Sequence, residues 1–372
     1  MKNVLINYLG RKNSGPLFSF ELSKGFVKNG CKVYALLSKQ TRNKKDWDHE
    51  KSIEKIFINT YNNFIEFVFG TLRFGLKDIW KVRYKLQNVK FDYVITPFFH
   101  PWALSLNRVV KAEKKIAICH DPFPHYGDNR FIRFLYDTLM RHSDSVVVLS
   151  EKFIPVVHEK YGTPMDQICY MPHGNFSFYK GKDTQKEIEY SKNKTNFLFF
   201  GRIGKYKGIN ILTQAYEILK SKNVNVSLTI AGSGNLEEEK TDLQKLKDVK
   251  IFNRYIDDEE VGNFFDSDNL VLVLPYLSAT QSGVIPIAME YGIPIIASNI
   301  GGLSEQLDNG RIGFLVSPGN VEDLASKMLY ASEHPEVFDA QRILMKEKLK
   351  SLDWDIIVHN LVESLDKMQC AI

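Results

Sequence analysis

Short apolar segments alternate with amphipathic segments along most of this chain, and this alternation restricts its fold more than any other feature. The apolar segments have the length of strands buried on both faces of a sheet, and the amphipathic ones have the period of helices. Repeated β-α alternation predicts a parallel, doubly wound α/β sheet. In the first half the predicted strands are 3–7, 32–37, 56–59, 93–97, 115–119, 145–149 and 168–171, and the predicted helices are 17–28, 131–140 and 151–161.

A polar stretch, 180–194, separates this series from a second one. It is rich in lysine, glutamate and aspartate and has no apolar period, so we interpret it as a linker between two domains. Beyond it the predicted strands are 197–200, 226–231, 249–252, 270–274, 294–297 and 313–316, and the predicted helices are 209–220, 236–246, 258–265, 284–291 and 321–332.

The chain has 372 residues, which is long for a single hydrophobic core. We predict an N-terminal Rossmann-like domain over 1–179 and a C-terminal one over 195–345. The remaining segment, 346–372, contains a helix around 354–368 that either packs back towards the first domain, as we expect, or caps the second. Two such domains would turn the carboxyl ends of both sheets towards one cleft, where ligands of these folds bind.

Charge and cysteine content narrow the class of protein. The net charge of +5 is too small to indicate nucleic acid and would suit an anionic ligand or membrane surface. No apolar run approaches the roughly 20 residues of a membrane-spanning helix, and the apolar start, 4–9, is too short for a signal peptide. We expect a cytoplasmic protein, or one on the inner face of the membrane. The cysteines form no C-x-x-C pair, which fits a reducing compartment without a zinc site: Cys31, Cys119, Cys169 and Cys370.

The loop after the predicted strand 270–274 has the composition of an anion site. Pro275 and Tyr276 end the strand, and small and hydroxyl residues over 278–283 lead into a predicted helix. Unpaired amides and the positive end of a helix dipole would meet there and suit a phosphate or diphosphate. Serine and threonine also begin helices merely as caps, so the loop alone leaves both interpretations open.

A second loop, 201–208, supplies the cations that the first one lacks. It follows the strand 197–200 and runs into a helix. Gly201 lets the backbone approach a ligand closely, while Arg202 and Lys207 place two positive charges at the start of the helix. The alternative is a surface turn with two incidental cations.

The segment 61–90 interleaves aromatic and basic residues at helical spacing. This pattern would suit peripheral contact with a membrane surface or a lipid-linked acceptor. Alternatively, the helix packs on the sheet and leaves a solvated basic face. The residues concerned are Phe64, Phe67, Phe69, Phe74 and Trp80, with Arg73, Lys77, Lys81, Arg83 and Lys85.

Several motifs, in order, resemble the nucleotide-sugar half of a family 4 glycosyltransferase. They are G-R-x-x-x-x-K-G at 201–208, I-A-G-S-G at 230–234, A-M-E-Y-G-I-P-I-I-A-S at 288–298, N-I-G-G-L-S-E at 299–305 and G-R-I-G-F-L-V at 310–316. Weaker likenesses in the first half are 10–15, C-H-D at 119–121 and P-H-G at 172–174. The resemblance implies the GT-B fold, with two Rossmann-like domains around a cleft. It also implies transfer of a sugar from a nucleotide-sugar, mostly with retention and without a metal.

By position, the resemblance assigns roles to both loops. Arg202 and Lys207 resemble the pair that grips the donor diphosphate and stabilises the leaving group, where negative charge grows in the transition state. The loop 280–284 would add amide and hydroxyl donors from Thr280, Gln281, Ser282, Gly283 and Val284. Gly15, in the loop 10–15, would lie under the diphosphate and sugar.

The sequence departs from the family at its usual pair of glutamates eight residues apart. Aligning Gly292 and Pro294 with the family's G-x-P puts Ala279 and Ile287 at those places. Glu290, one turn further along the predicted helix, is a candidate for binding the ribose, or is a solvated carboxylate. Contact with the sugar would then fall to Thr280, Gln281 or Ser282.

His120 and Asp121 end a strand of the first domain. In the family a histidine here often contacts the donor sugar, so we assign His120 to sugar binding or transition-state stabilisation. Asp121 is instead a candidate general base, which would favour inversion, and an ordinary turn is the alternative for both. His125 and His173 are weaker candidates, and we interpret 237–239, an acidic run, as a solvated helix start.

We therefore predict an enzyme that moves a hexose from a nucleoside-diphosphate sugar to a hydroxyl of a saccharide or lipid-linked glycan, without a cofactor or metal and with retention the favoured outcome. One alternative is a non-catalytic relative that binds nucleotide-sugars or glycans, since the glutamate pair is missing. Another is a nucleotide-sugar 2-epimerase of the same architecture.

Overall fold

The protein divides into two compact units in a computed structural model that describes residues 1–123, 129–180, 188–236 and 246–368. Unit 1 contains Met1–Gly174 and Asp353–Ile372, and unit 2 contains Asn175–Leu352. Some predictions fall outside the described residues: His125, linker residues 181–187, the acidic run 237–239 with most of the helix 236–246, and Cys370.

Unit 1 is built on a seven-stranded parallel sheet in the order β3-β2-β1-β4-β5-β6-β7. The central strands bury nearly every side chain, as their apolar sequences predict for a sheet covered on both faces. The strands are β1 Asn3–Tyr8, β2 Lys32–Ser38, β3 Ile53–Ile58, β4 Phe91–Thr96, β5 Ala112–Cys119, β6 Ser145–Val148 and β7 Ile168–Tyr170.

Helices connect these strands. They are α1 Gly15–Lys28, α2 Lys44–His49, α3 Phe64–Arg73, α4 Ile79–Leu86, α5 Ala103–Val109, α6 Arg130–Arg141 and α7 Ile154–Tyr161. A π-helical turn, Phe74–Asp78, joins α3 to α4 without a break. The short helices α2 and α5 were not predicted, because six or seven residues carry too little of a helical period to be recognised.

Unit 2 repeats the architecture with six parallel strands in the order β10-β9-β8-β11-β12-β13. The strands are β8 Thr195–Phe200, β9 Val226–Gly232, β10 Val249–Asn253, β11 Leu270–Leu274, β12 Ile295–Ser298 and β13 Phe314–Val316. The helices are α8 Ile209–Ser221, α9 Val261–Phe265, α10 Val284–Glu290, α11 Leu303–Gln306, α12 Val321–Glu333 and α13 Val337–Ser351. The helices α11 and α13 were not predicted.

The last helix, α14 Trp354–Lys367, packs on α1 of unit 1. Gly25 of α1 permits the approach, because a Cβ there would lie 2.7 Å from the carbonyl oxygen of Trp354. The Trp354 ring also covers Gly174 and meets Phe18 edge-on at 5.0 Å between ring centroids. Among the described residues, no helix combines the length and apolar character needed to cross a membrane.

Candidate functional site

The loop 201–208 leaves the carboxyl end of β8 in a conformation that two glycines make possible. Gly201 has φ +129°, and a Cβ on Gly232 of β9 would lie 1.7 Å from the Gly201 carbonyl oxygen. An isolated bridge between Ile203 and Gly234 holds the next residues. The I-A-G-S-G motif therefore supports the backbone that carries Arg202.

This loop lies against the loop that follows β11. The amides of Leu277 and Ser278 both donate to the Tyr206 carbonyl oxygen, at 2.8 and 3.3 Å. Gly208, with φ +66°, meets the Pro275 carbonyl oxygen so closely that a Cβ would lie 2.0 Å from it. The two loops predicted to form an anion site are therefore brought together at one edge of the unit 2 sheet, because β8 and β11 are neighbours.

Lys207 connects the two loops directly. Its Nζ lies 3.5 Å from the centroid of the Tyr276 ring, a cation–π contact with the residue that ends β11. Tyr276 is fully buried, and burial raises its pKa to about 12, so its hydroxyl stays neutral. The sequence indicates Tyr276 only as a strand end, since nothing in a sequence pairs a lysine with a ring 69 positions away.

The environment of Lys207 disfavours its positive charge. Its pKa is lowered from 10.5 to about 8, mainly by burial; Tyr206 opposes this lowering and the nearby Arg202 charge adds to it. Arg202 itself is exposed. In the part of the chain that the structure describes, neither cation has a carboxylate within ion-pair distance. Two neighbouring cations without a counter-charge give this edge a positive potential that would suit an anion.

Gln306 of α11, which the sequence did not indicate, holds the loop that follows β11. The Ser282 amide donates to Gln306 Oε1 at 2.9 Å, and Gln306 Nε2 donates to the Ser282 carbonyl oxygen at 3.1 Å. The Ser282 hydroxyl lies 3.3 Å from the Tyr276 hydroxyl and accepts a long bond of 3.4 Å from the Val284 amide.

These bonds change which donors the loop can offer. The amides of Ser282 and Val284 already have partners inside the protein, whereas those of Thr280 and Gly283 donate to no described residue. Gln281 is half-buried in the same loop. Since α10 has only seven residues, its dipole is small, and the positive charge of this edge comes mainly from Arg202 and Lys207.

Glu290 is the last residue of α10, six residues after its start. Its carboxylate lies 3.7 Å from Lys180 Nζ, and its side chain is only 9% exposed. It is therefore a paired carboxylate and not a solvated one. Its assignment to the ribose stays a prediction.

In unit 1, His120 follows β5 and stacks on Phe98, with ring centroids 3.9 Å apart. Its Nε2 lies 2.8 Å from the Pro97 carbonyl oxygen, and because a carbonyl only accepts, Nε2 carries the proton. Burial, with the nearby His173, lowers the pKa of His120 to about 3, so the ring is neutral at physiological pH. Nδ1 is then an acceptor, suited to a sugar hydroxyl.

The other candidates of unit 1 surround the same strand ends. Asp121 Oδ1 accepts from the Phe123 amide at 2.9 Å, the turn bond that sequence analysis gave as the alternative. His173 meets Phe18 of α1 at 5.4 Å, and His120 meets the same ring at 5.2 Å. Gly15 begins α1, where a Cβ would lie 2.6 Å from the Tyr8 hydroxyl. Within the described residues, no three His, Cys, Asp or Glu side chains are grouped as metal ligands would be.

Comparison with known families covers most of the chain. The family model described as Glycosyl transferases group 1 matches residues 181–347, and the one described as Glycosyltransferase Family 4 matches residues 18–174. The chain is a family 4 glycosyltransferase. The resemblance noted in its motifs is thereby confirmed.

Individual relatives agree with this membership. An uncharacterised glycosyltransferase of Haemophilus influenzae is 26% identical over 254 residues, covering 67% of this chain and 69% of that protein. The lipopolysaccharide 1,2-N-acetylglucosaminetransferase of Salmonella typhimurium is 23% identical, covering 70% and 74%. Anabaena HepE, solved in complex with UDP and glucose, superposes with a TM-score of 0.72 at 16% identity, covering 99% and 100%. The two doubly wound sheets have the GT-B fold of such glycosyltransferases, as predicted.

This glycosyltransferase lacks the acidic pair of its family. Ile287, at the second position, is buried in α10, where its apolar side chain belongs to the core of unit 2. Ala279, at the first, has its carbonyl oxygen against Gly301, on which a Cβ would lie 1.9 Å away. The N-I-G-G segment therefore packs on the backbone of the loop, and the Gly302 amide donates to the Thr280 carbonyl oxygen at 2.9 Å.

Proposed function

We propose that this glycosyltransferase moves a hexose from a nucleoside-diphosphate sugar to a hydroxyl of a saccharide or lipid-linked glycan. One observation carries the proposal. Arg202 and Lys207 lie near each other at the carboxyl edge of the unit 2 sheet, and no carboxylate of the described residues lies within ion-pair distance of either. A donor diphosphate would supply the missing negative charge, and the Thr280 and Gly283 amides would add hydrogen bonds. The complex of HepE with UDP supports the same ligand class.

The proposed chemistry uses these cations in the transition state. As the bond between the sugar C1 and the diphosphate oxygen breaks, negative charge grows on the departing phosphate, and fixed cations stabilise it more than they stabilise the substrate. The acceptor oxygen forms the new bond to C1, and its proton passes to an oxygen of the leaving diphosphate. This front-face, retaining course needs no carboxylate base, which agrees with Asp121 serving a turn.

His120 enters the proposal as a hydrogen-bond acceptor. With its proton on Nε2 and its pKa lowered to about 3, the ring carries no charge at physiological pH. A sugar hydroxyl donating to Nδ1 would orient the hexose without electrostatic repulsion of the positive charge that develops at C1.

The first test is a thermal-shift panel of UDP-, GDP-, dTDP- and ADP-sugars, because a ligand that binds only the folded state raises the melting temperature. Replacing Arg202 or Lys207 by alanine is expected to weaken binding of the hit about 10- to 100-fold, the usual range for a hydrogen bond to a charged group. The matched control is Lys222→Ala, an exposed lysine just beyond the other end of α8. A full shift retained by the Arg202 and Lys207 variants would reject the diphosphate site.

A second test follows the reaction itself. The hit is incubated with glycan acceptors, and released nucleotide and product are measured with and without excess chelator. We expect transfer to persist in the chelator, since Arg202 and Lys207 provide the counter-charge. Binding without turnover on any acceptor would instead identify a nucleotide-sugar-binding relative, and a product formed without acceptor would identify an epimerase.

A further inference from the structure

The continuous helix formed by α3, the π turn and α4 exposes an unusual amount of apolar surface. Five large side chains follow one another at intervals of four residues: Val68, Leu72, Leu76, Trp80 and Tyr84. Together with Phe69 we call them the apolar stripe. Its members are between 44% and 81% exposed. Soluble surfaces rarely leave so many large apolar residues side by side unless they contact something.

A π turn interrupts the α-helical spacing in the middle of the stripe. In an α-helix four residues advance about 400°, so side chains spaced by four drift about 40° around the axis at each step. The turn Phe74–Asp78 has hydrogen bonds spanning five residues and advances less per residue. It lies in the middle of the stripe, between Leu72 and Trp80, and reduces the drift there.

The opposite face of the same helix packs on the core of unit 1. Gly70, Phe74, Val82 and Leu86 are buried, and the Phe74 ring stacks at 4.5 Å on Trp102, the residue before α5. The Thr71 hydroxyl also accepts a 3.0 Å bond from the Trp102 indole nitrogen. The packed side therefore anchors the helix to unit 1 and leaves the stripe facing outward. The packed side agrees with the alternative prediction of a helix packed on the sheet, which does not account for the exposed aromatic residues Phe69 and Trp80.

Basic residues accompany the stripe. The helix from 64 to 86 holds five basic and two acidic residues, and one acid, Asp78, is paired with Arg73 at 2.9 Å. Lys77, Lys81 and Lys85 are exposed and have no carboxylate partner within the described residues. The Arg83 guanidinium lies 5.6 Å from the Trp80 ring centroid. An apolar stripe with unpaired cations complements an anionic lipid surface, into which the apolar side chains insert.

We propose that this helix docks unit 1 on an anionic bilayer surface, with the apolar stripe in the interface and the lysines at the headgroups. The inference concerns the helix alone and does not depend on the proposed donor or reaction. Its test therefore needs neither nucleotide nor acceptor, and its failure would leave the proposed function untouched.

The full chain itself carries a probe. Trp47, Trp102 and Trp354 are buried, and Trp80 is 58% exposed. On addition of phosphatidylglycerol-rich vesicles we expect a blue shift of tryptophan fluorescence and protection from acrylamide. Pure phosphatidylcholine vesicles should produce little of either. In Trp80→Phe the shift should vanish while co-sedimentation with the anionic vesicles persists.

Substitutions separate the apolar contribution to vesicle binding from the electrostatic one. Leu76→Ser/Trp80→Ser/Tyr84→Ser is expected to weaken binding to anionic vesicles about 100-fold or more, and Lys77→Gln/Lys81→Gln/Lys85→Gln about fivefold per lysine. The control is Ile343→Ser, an exposed apolar residue of unit 2 that is 62% accessible. All variants alter exposed side chains, and circular dichroism and melting temperature verify folding.

Two results would overturn the proposal. One is that the wild type does not bind anionic vesicles, or that the triple serine variant binds them as tightly as the wild type does. The other is a wild-type dimer in light scattering that the serine variant converts to a monomer, which would assign the stripe to contact between two copies of this chain.

Discussion

Lys207 is central to the proposed unit 2 site, and its environment has two opposite effects. It fixes the position of the ammonium group and lowers the pKa of that group. Contact with the Tyr276 ring fixes the ammonium group where a diphosphate would bind. Burial and the Arg202 charge at the same time lower its pKa to about 8. The free protein therefore keeps Lys207 mostly protonated at pH 7 but not at pH 9, and an anionic ligand would raise its pKa again.

This gives a pH dependence with a definite sign. Lys207 is charged below its pKa and neutral above it, so affinity for a nucleoside diphosphate should be greatest below about pH 8 and fall as pH rises through that value. Between pH 7 and pH 9 we expect the Kd measured by calorimetry to rise about tenfold. In Lys207→Arg the profile should be flat, since a guanidinium stays protonated throughout. Identical profiles for the two proteins would show that protonation of Lys207 is not linked to binding.

At the scale of elements, Gln306 joins α11 to the loop before α10. Its side-chain amide bonds to both backbone groups of the buried Ser282, so Gln306→Leu leaves the Ser282 amide without a partner and the Ser282 carbonyl oxygen with only the Ile285 amide. We expect a loss of about 1–3 kcal/mol in the free energy of unfolding. Donor affinity should fall about tenfold, because the Thr280 and Gly283 amides lose their fixed positions.

Urea unfolding and calorimetry with the same nucleotide measure both effects. Gln306→Glu still accepts from the Ser282 amide but no longer donates, so an intermediate loss is expected. The control is Gln214→Leu, an exposed residue whose side chain donates to the Asn210 carbonyl oxygen of its own helix. If Gln306→Leu lowers stability without changing affinity, the loop is not part of the donor site.

Sequence patterns predicted two kinds of element well: strands buried on both faces, and helices with a regular apolar period. The strand β11 has the predicted bounds, and α8 and β8 differ by one or two residues. The patterns also placed Arg202, Lys207 and the loop 280–284 near one sheet edge, because topology alone brings the ends of neighbouring parallel strands together. They did not predict the contact with Tyr276, the bonds of Gln306 or the pairing of Glu290, which depend on side-chain packing between distant segments. The π turn was not predicted either, since no residue type specifies it.

At the scale of the whole molecule, the chain returns to its first unit after completing the second. Gly25 of α1 makes this possible, because a Cβ there would lie 2.7 Å from both the Trp354 carbonyl oxygen and Val358 Cγ2. Gly25→Val should therefore force α14 off α1 and destabilise unit 1 by about 1–3 kcal/mol. Gly75→Val is the matched control, since a Cβ at Gly75 meets nothing within 4 Å.

Calorimetric unfolding with saturating nucleotide distinguishes the units, because a two-unit protein need not unfold in one step. The ligand should raise the transition of unit 2, which carries Arg202 and Lys207. Gly25→Val should lower the other transition and leave the Kd for nucleotide within about twofold. If both transitions fall together, the two units unfold as one cooperative body, and α14 contributes to the stability of the whole chain through unit 1.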